Sequence, residues 1–426
     1  MFNQNGLSLD QAPPISVVFR FFFSGALFGM LAGLLMLLFQ TTIFDTHRTE
    51  AVIVTHTLTL GVMLSFMVAA LFQMLPVIAG VTLTSPVKKA NAVQYPFILG
   101  VFSLLLAFNF STPWLFIAAS FLLGVSLLYI ALVMLKNLWH LPNHSSSSKG
   151  MLTALLSLTI VILLALYLTA TLGGILEGSY YTQVKTAHYS FGLFGWISLL
   201  IISISFQVIE MFYVTPSYPK IISKYLPLTL LILLVISTII GLFNPHIWTV
   251  SNIPLALLLI GYALLTLKRL TQRKRPLTDA TVWFWRIGLG SLILSMLTLV
   301  MTNFTELSWV KSLSYIFFAS FALSIVFAMF YKIVPFLTWF HLNSQGYFTA
   351  PMMHEVIHPK TAKKHLYIHL ATLVTFVLSL FVSLFIFLAG LLTILSFGWM
   401  AWQIIHAWKL YTHTQNTGEK FDMGSM

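Results

Sequence analysis

The 426-residue chain has no cysteine and little charge: Asp, Glu, Lys and Arg make up 8% of it, and only 10 residues are acidic. Without cysteine there can be no disulfide, iron–sulfur cluster, thiolate zinc site or cysteine nucleophile, so any metal must be held by His, Met or oxygen ligands. Scarce charge beside 58% hydrophobic and 15% aromatic residues, with a mean hydropathy of +0.93, excludes a soluble globular protein. At roughly 20 apolar residues per crossing, the composition leaves room for about twelve transmembrane helices and little else. A third absence concerns depth. Glu210, Arg20, Arg286 and Lys332 fall near helix ends, and no Asp, Glu, Lys or Arg falls at mid-membrane in any apolar run. Ion-coupled transporters and proton pumps usually keep an ionisable group there, which argues against both classes.

Apolar runs bounded by Pro, Gly or charge predict spans near 17–39, 51–80, 92–110, 113–135, 151–173, 187–214, 226–243, 248–267, 281–302, 309–337, 365–387 and 389–410. The first is span-length, has Arg20 as its only basic flank and is followed by no small-residue cleavage site, so it reads as a retained helix. Of the 22 Lys and Arg, only Arg48, Lys185 and Lys311 fall in loops opposite the termini, and Arg20, Arg286 and Lys332 fall at helix ends. The rest lie on the side of the termini, which predicts cytoplasmic termini in a bacterial inner membrane. The net charge of +12 is therefore a topology signal that also suits anionic lipid, and nucleic acid is not an expected partner. Gly25, Gly29 and Gly33 repeat a small-xxx-small spacing suited to close helix packing within the chain.

Spans 2, 6 and 10 end alike, in Leu71-Phe72-Gln73-Met74-Leu75-Pro76, Ser205-Phe206-Gln207-Val208-Ile209-Glu210 and Met329-Phe330-Tyr331-Lys332-Ile333-Val334-Pro335. Spans 2 and 6 also begin alike: Thr55-His56-Thr57-Leu58 precedes Gly61, and Ala187-His188-Tyr189-Ser190 precedes Gly192 and Gly195. The chain then reads as one transmembrane domain of three blocks of four helices, roughly 1–140, 141–275 and 276–426.

The 13 histidines sort by side. His56 and His188 each fall about one turn inside the outer boundary of their helices, where an unpaired imidazole is costly and tends to mark function. His246, after Asn244-Pro245 at the outer end of span 7, can reach the same depth. Neutral imidazole is the commonest ligand for copper and iron, so His56, His188 and His246 form a candidate metal set, with a helix carbonyl or interfacial water as the competing partner of each ring. On the inner side, His365-x3-His369 puts two rings on one helical face. That pair reads either as a divalent-ion site or as a collar of interfacial side chains beside Lys363 and Lys364.

With twelve spans in three sets of four and these outward histidines, the chain resembles the catalytic subunit of the haem-copper oxidase superfamily and is similar to the NnrS-type haem- and copper-containing membrane proteins. The resemblance rests on Thr55 to Pro76, Ala187 to Met211 and Asn244 to His246. It implies an all-α polytopic fold, a b-type haem with His56 as an axial ligand, and copper held by His188 and His246. The chain departs from the family in having one histidine at helix 7 and none in the outer part of helix 10, which reads Trp309-Val310-Lys311-Ser312-Leu313-Ser314-Tyr315. The implied centre is therefore reduced, with one haem or one copper. The function implied is electron transfer, or oxidoreductase-type handling of a diatomic gas such as nitric oxide or oxygen at the periplasmic side, with an electron donor or further subunit as partner. The alternative is a permease or respiratory-complex assembly protein without a redox cofactor.

Overall fold

The computed structural model describes residues 12–81, 83–275 and 278–420. Twelve long helices account for nearly all of them: α1 (Ile15–Phe39), α2 (Thr49–Ala79), α3 (Pro86–Phe110), α4 (Pro113–Trp139), α5 (Ser146–Leu172), α6 (Tyr181–Tyr213), α7 (Lys220–Gly241), α8 (Ile247–Thr271), α9 (Ala280–Met301), α10 (Ser308–Ser344), α11 (Pro359–Ser379) and α12 (Phe385–Thr417). The protein is an all-α polytopic membrane protein. All of these helices except α11 are long and apolar enough to cross a bilayer. Lys360, Lys363 and Lys364 lower the hydropathy of α11, yet it packs against α9 and α10 and lies alongside α12.

The turn between α11 and α12 corrects the expected boundary. It falls at 380–384 and not near 388, because the apolar stretch Phe381-Val382-Ser383-Leu384 carries no Pro or Gly to mark it. Phe19 of α1 meets Trp408 of α12, and Gly33 meets Gly390, so the two helices are antiparallel and the chain enters and leaves on one face. We call this the terminal face and its opposite the distal face. A methyl at Gly33 would lie 2.7 Å from the Gly390 carbonyl oxygen, so here the two backbones are in contact. The glycine stripe of α1 is thus spent inside the molecule, with Gly29 against Phe397 and Gly25 against Phe66.

The enclosed centre of the bundle is formed by α2, α6 and α10. Of the crossing helices α2 and α6 are the most buried, and the three line one apolar crevice containing Phe66, Met74, Leu200, Val208, Met329 and Phe330. This placement makes α6 a shared wall. One compartment lies on its α2 to α5 side, and a second is enclosed by α6 to α10.

Charge pairing is confined to the ends. At the terminal face the Asp279 carboxylate caps α9 through the Val282 N–H (3.1 Å) and receives Lys332 Nζ at 2.6 Å. Partial burial alone would raise the Asp279 pKa, but Lys332, Thr281 and the capped amide outweigh it and hold the carboxyl below its usual range. Because the folded value is the depressed one, this contribution is present above the ordinary aspartate range and is lost as pH falls through the lower folded value. Detergent-solubilised protein should therefore lose thermal stability on acidification below about pH 4, and Asp279→Asn should flatten that part of the profile. An unchanged profile would remove the pair from the account.

Candidate haem site between α2 and α6

His56 lies seven residues into α2 and His188 seven residues into α6, so both sit roughly 10 Å below the distal helix starts at 1.5 Å per residue. Both helices change winding at the same depth. A π-helical segment, Thr57–Leu64, follows His56 directly, and another, Phe191–Ile197, begins three residues after His188. Such wide turns interrupt an α-helix at a cost and recur at functional positions.

The structure brings the two imidazoles together. Their ring centroids are 6.3 Å apart and the planes differ by 17°. His56 Nδ1–H donates to the Val52 carbonyl one turn back (2.8 Å), and His188 Nδ1–H donates across to the Val161 carbonyl on α5 (3.2 Å). Each bond selects the tautomer that carries its lone pair on Nε2, and neither Nε2 has a hydrogen-bond partner among the described residues. Carbonyl-anchored Nδ1 with a free Nε2 is the arrangement an imidazole needs in order to ligate a metal.

The surroundings are apolar and aromatic. Phe108 of α3 lies 5.5 Å from the His56 ring and meets Phe116 of α4 edge-on, with Leu60, Leu104 and Leu172 in the same cluster. Gly192 stands four residues after His188, about one turn on, where a Cβ would meet nothing within 4 Å. Glycine there leaves open space on α6 close to His188 in the chain.

His246 does not join them. It is exposed at the start of α8, with its backbone N–H on Asn244 Oδ1 (3.2 Å), and no group of three or more His, Asp or Glu capable of holding a metal occurs among the described residues. The expected three-imidazole set is therefore a two-imidazole set, because Trp248 and Thr249, which follow His246, border the α6 to α10 compartment and not the one holding His56.

His365 and His369 are not an interfacial collar. They are buried, 0% and 5% exposed, inside a contact of α9, α10, α11 and α12. Tyr331 OH pairs with His365 Nδ1 (2.9 Å), Ser396 Oγ with His365 Nε2 (2.6 Å), and Ser324 Oγ with His369 Nε2 (2.7 Å). Both ring nitrogens of His365 are engaged, which leaves none for a metal. The pattern His-x3-His pointed to one helical face but gave no sign that the face is turned inward and met by Phe284 and Phe327.

Two features of the site were invisible to sequence reasoning, the α5 carbonyl that orients His188 and the open space at Gly192. The glycine itself was in view as part of the repeated His-to-Gly spacing. No protein-family model matches the chain, and no curated protein matches it.

Proposed function

We propose that the protein binds one b-type haem between α2 and α6, where His56 and His188 would hold it, and that it transfers electrons at the distal face. The observation that carries this reading is the facing imidazole pair. The near-parallel rings of His56 and His188, with centroids 6.3 Å apart, are close enough that the two residues would hold one iron between them. Anchored Nδ1 atoms, free Nε2 atoms, an apolar aromatic wall and the gap at Gly192 are what a flat macrocycle requires of its pocket.

When bound, haem supplies a one-electron redox couple. The chain's own contribution is to fix the ring orientations through Val52 and Val161, raise imidazole basicity through those carbonyls and keep water away with Phe108 and Phe116. His56 and His188 would both be engaged in holding the group, which favours electron transfer over the binding of a diatomic gas. Copper(II) would want further nitrogen or oxygen ligands, and among the described residues no group of three His, Asp or Glu forms. Partners under this reading are the bilayer and a redox protein or carrier that meets the distal face.

The absorption spectrum of protein purified from haem-replete cells, together with elemental analysis, tests this reading. A Soret band at one haem per chain with no copper is expected. Protein without haem would leave the permease or assembly reading in its place. Gly192→Leu provides a second check within the site: it should abolish or sharply reduce haem content while helical circular dichroism is retained, since its Cβ enters open space. Full haem loading of that variant would mean that the macrocycle does not occupy the gap.

A further inference from the structure

On the other side of α6 lies a cavity of about 360 Å³ bounded by α6, α7, α8, α9 and α10. Its volume far exceeds the share of about 30 Å³ that one water occupies in the liquid. Its walls combine leucine and phenylalanine with an unusual concentration of hydrogen-bonding groups: Ser190, Ser237, Asn252, Asn303, Tyr315 and, at the mouth, Lys311. No Asp or Glu lines it.

Several of these groups are uncommitted. Ser190 and Ser237 are 4% and 2% exposed, yet neither hydroxyl bonds to another described residue, and each opens onto the cavity. Buried hydroxyls normally find a partner, within their own helix if nowhere else, so two that turn into one enclosed space mark a place where something else supplies the bond. The electrostatics select its sign. Lys311 donates to Thr46 Oγ1 (3.0 Å) at the rim, and Lys185 stands close enough to repel it. Asp45, whose charge reaches Lys311, is itself paired with Arg48 at 3.7 Å. A cavity rich in donors, with a lysine at its mouth and no carboxylate in its lining, suits a ligand that accepts hydrogen bonds and bears negative charge. Leu193, Phe194, Leu234 and Leu255 add apolar wall between the polar groups, which a bare inorganic ion would leave unused and a carbon skeleton would cover.

We propose that this cavity is a binding site for a short-chain carboxylate entering from the distal face, with the carboxylate drawn by Lys311 and a second acceptor met by Ser190 and Ser237. The site does not depend on haem, although Tyr189 and Ser190, which border it, follow His188 directly in α6.

Isothermal titration calorimetry of the purified full-length protein with succinate, and with succinamide as its neutral counterpart, tests the proposal. Saturable one-to-one binding of succinate is expected, with succinamide weaker by about tenfold or more, the effect of losing a charge-assisted contact. Lys311→Gln, an exposed substitution at the mouth, should weaken succinate by a similar factor. Ser237→Leu should abolish binding by filling the cavity. Haem absorbance should stay unchanged in both variants. Equal affinity for succinate and succinamide, no binding of either, or an affinity indifferent to Lys311→Gln would each overturn it.

Discussion

Purified His188→Ala protein from haem-replete cells is expected to carry no haem, and His56→Ala protein the same, while both retain the helical circular dichroism of the parent. The expectation follows from two features of the pair. Each imidazole supplies one of two candidate ligands, so a single alanine halves the ligand set, and among the described residues no third His, Asp or Glu completes a metal-holding group with them. Each ring is also only part-buried. Truncating a part-buried ring costs the fold less than truncation in a sealed core, which separates loss of cofactor from loss of structure. A His188→Ala variant that kept full haem occupancy would remove this residue as a ligand. His188→Met is the informative intermediate: a thioether can take the same axial position and should raise the reduction potential of any haem retained.

The second large effect is expected at a histidine outside the site. His365→Ala should destabilise the protein by roughly 2–4 kcal/mol, measured as a fall in unfolding midpoint, and leave haem content intact. Interhelical hydrogen bonds inside a membrane are individually modest, on average near 0.6 kcal/mol. The two lost bonds, to Tyr331 and Ser396, therefore account for the smaller part. The larger part is the void left beside Phe284 and Phe327 in a region where His365 is fully buried. His365→Phe refills most of that volume and should recover much of the loss, although Tyr331 OH and Ser396 Oγ remain without their partner. If His365→Ala removed haem while the fold held, the assignment of this pair to packing would fail.

The contrast between these two pairs shows what could be read from the chain alone. Hydropathy disclosed the helices, since a bilayer demands long apolar runs, and placed His56 and His188 near the outer ends of their spans, but their equal depth, seven residues into each helix, shows only in the helix starts. Their partnership followed less directly. The chain carries no record of which helix wall faces which, and that matters most for His246, which lies at the same end of the bundle but beside the neighbouring compartment. His365 and His369 misled for a related reason. Lysines at the start of α11 imply an interfacial helix end, whereas the imidazoles one and two turns further on are turned inward and satisfied by hydroxyls from α10 and α12. Serine and tyrosine give little hydropathy signal, so neither this network nor the hydroxyl-lined cavity stands out until the helices are assembled. The end of α11 was misplaced because its turn is written in apolar residues.

The facing imidazoles have a spectroscopic consequence that no other reading of the chain shares. Electron paramagnetic resonance of the oxidised, purified protein measures the axial ligation of a haem directly. The account predicts a low-spin ferric signal of two imidazoles per iron, at one haem per chain, and an absorption spectrum of the reduced protein that exogenous carbon monoxide does not change. A high-spin signal, a carbon monoxide adduct formed at full occupancy, or protein devoid of iron would contradict it.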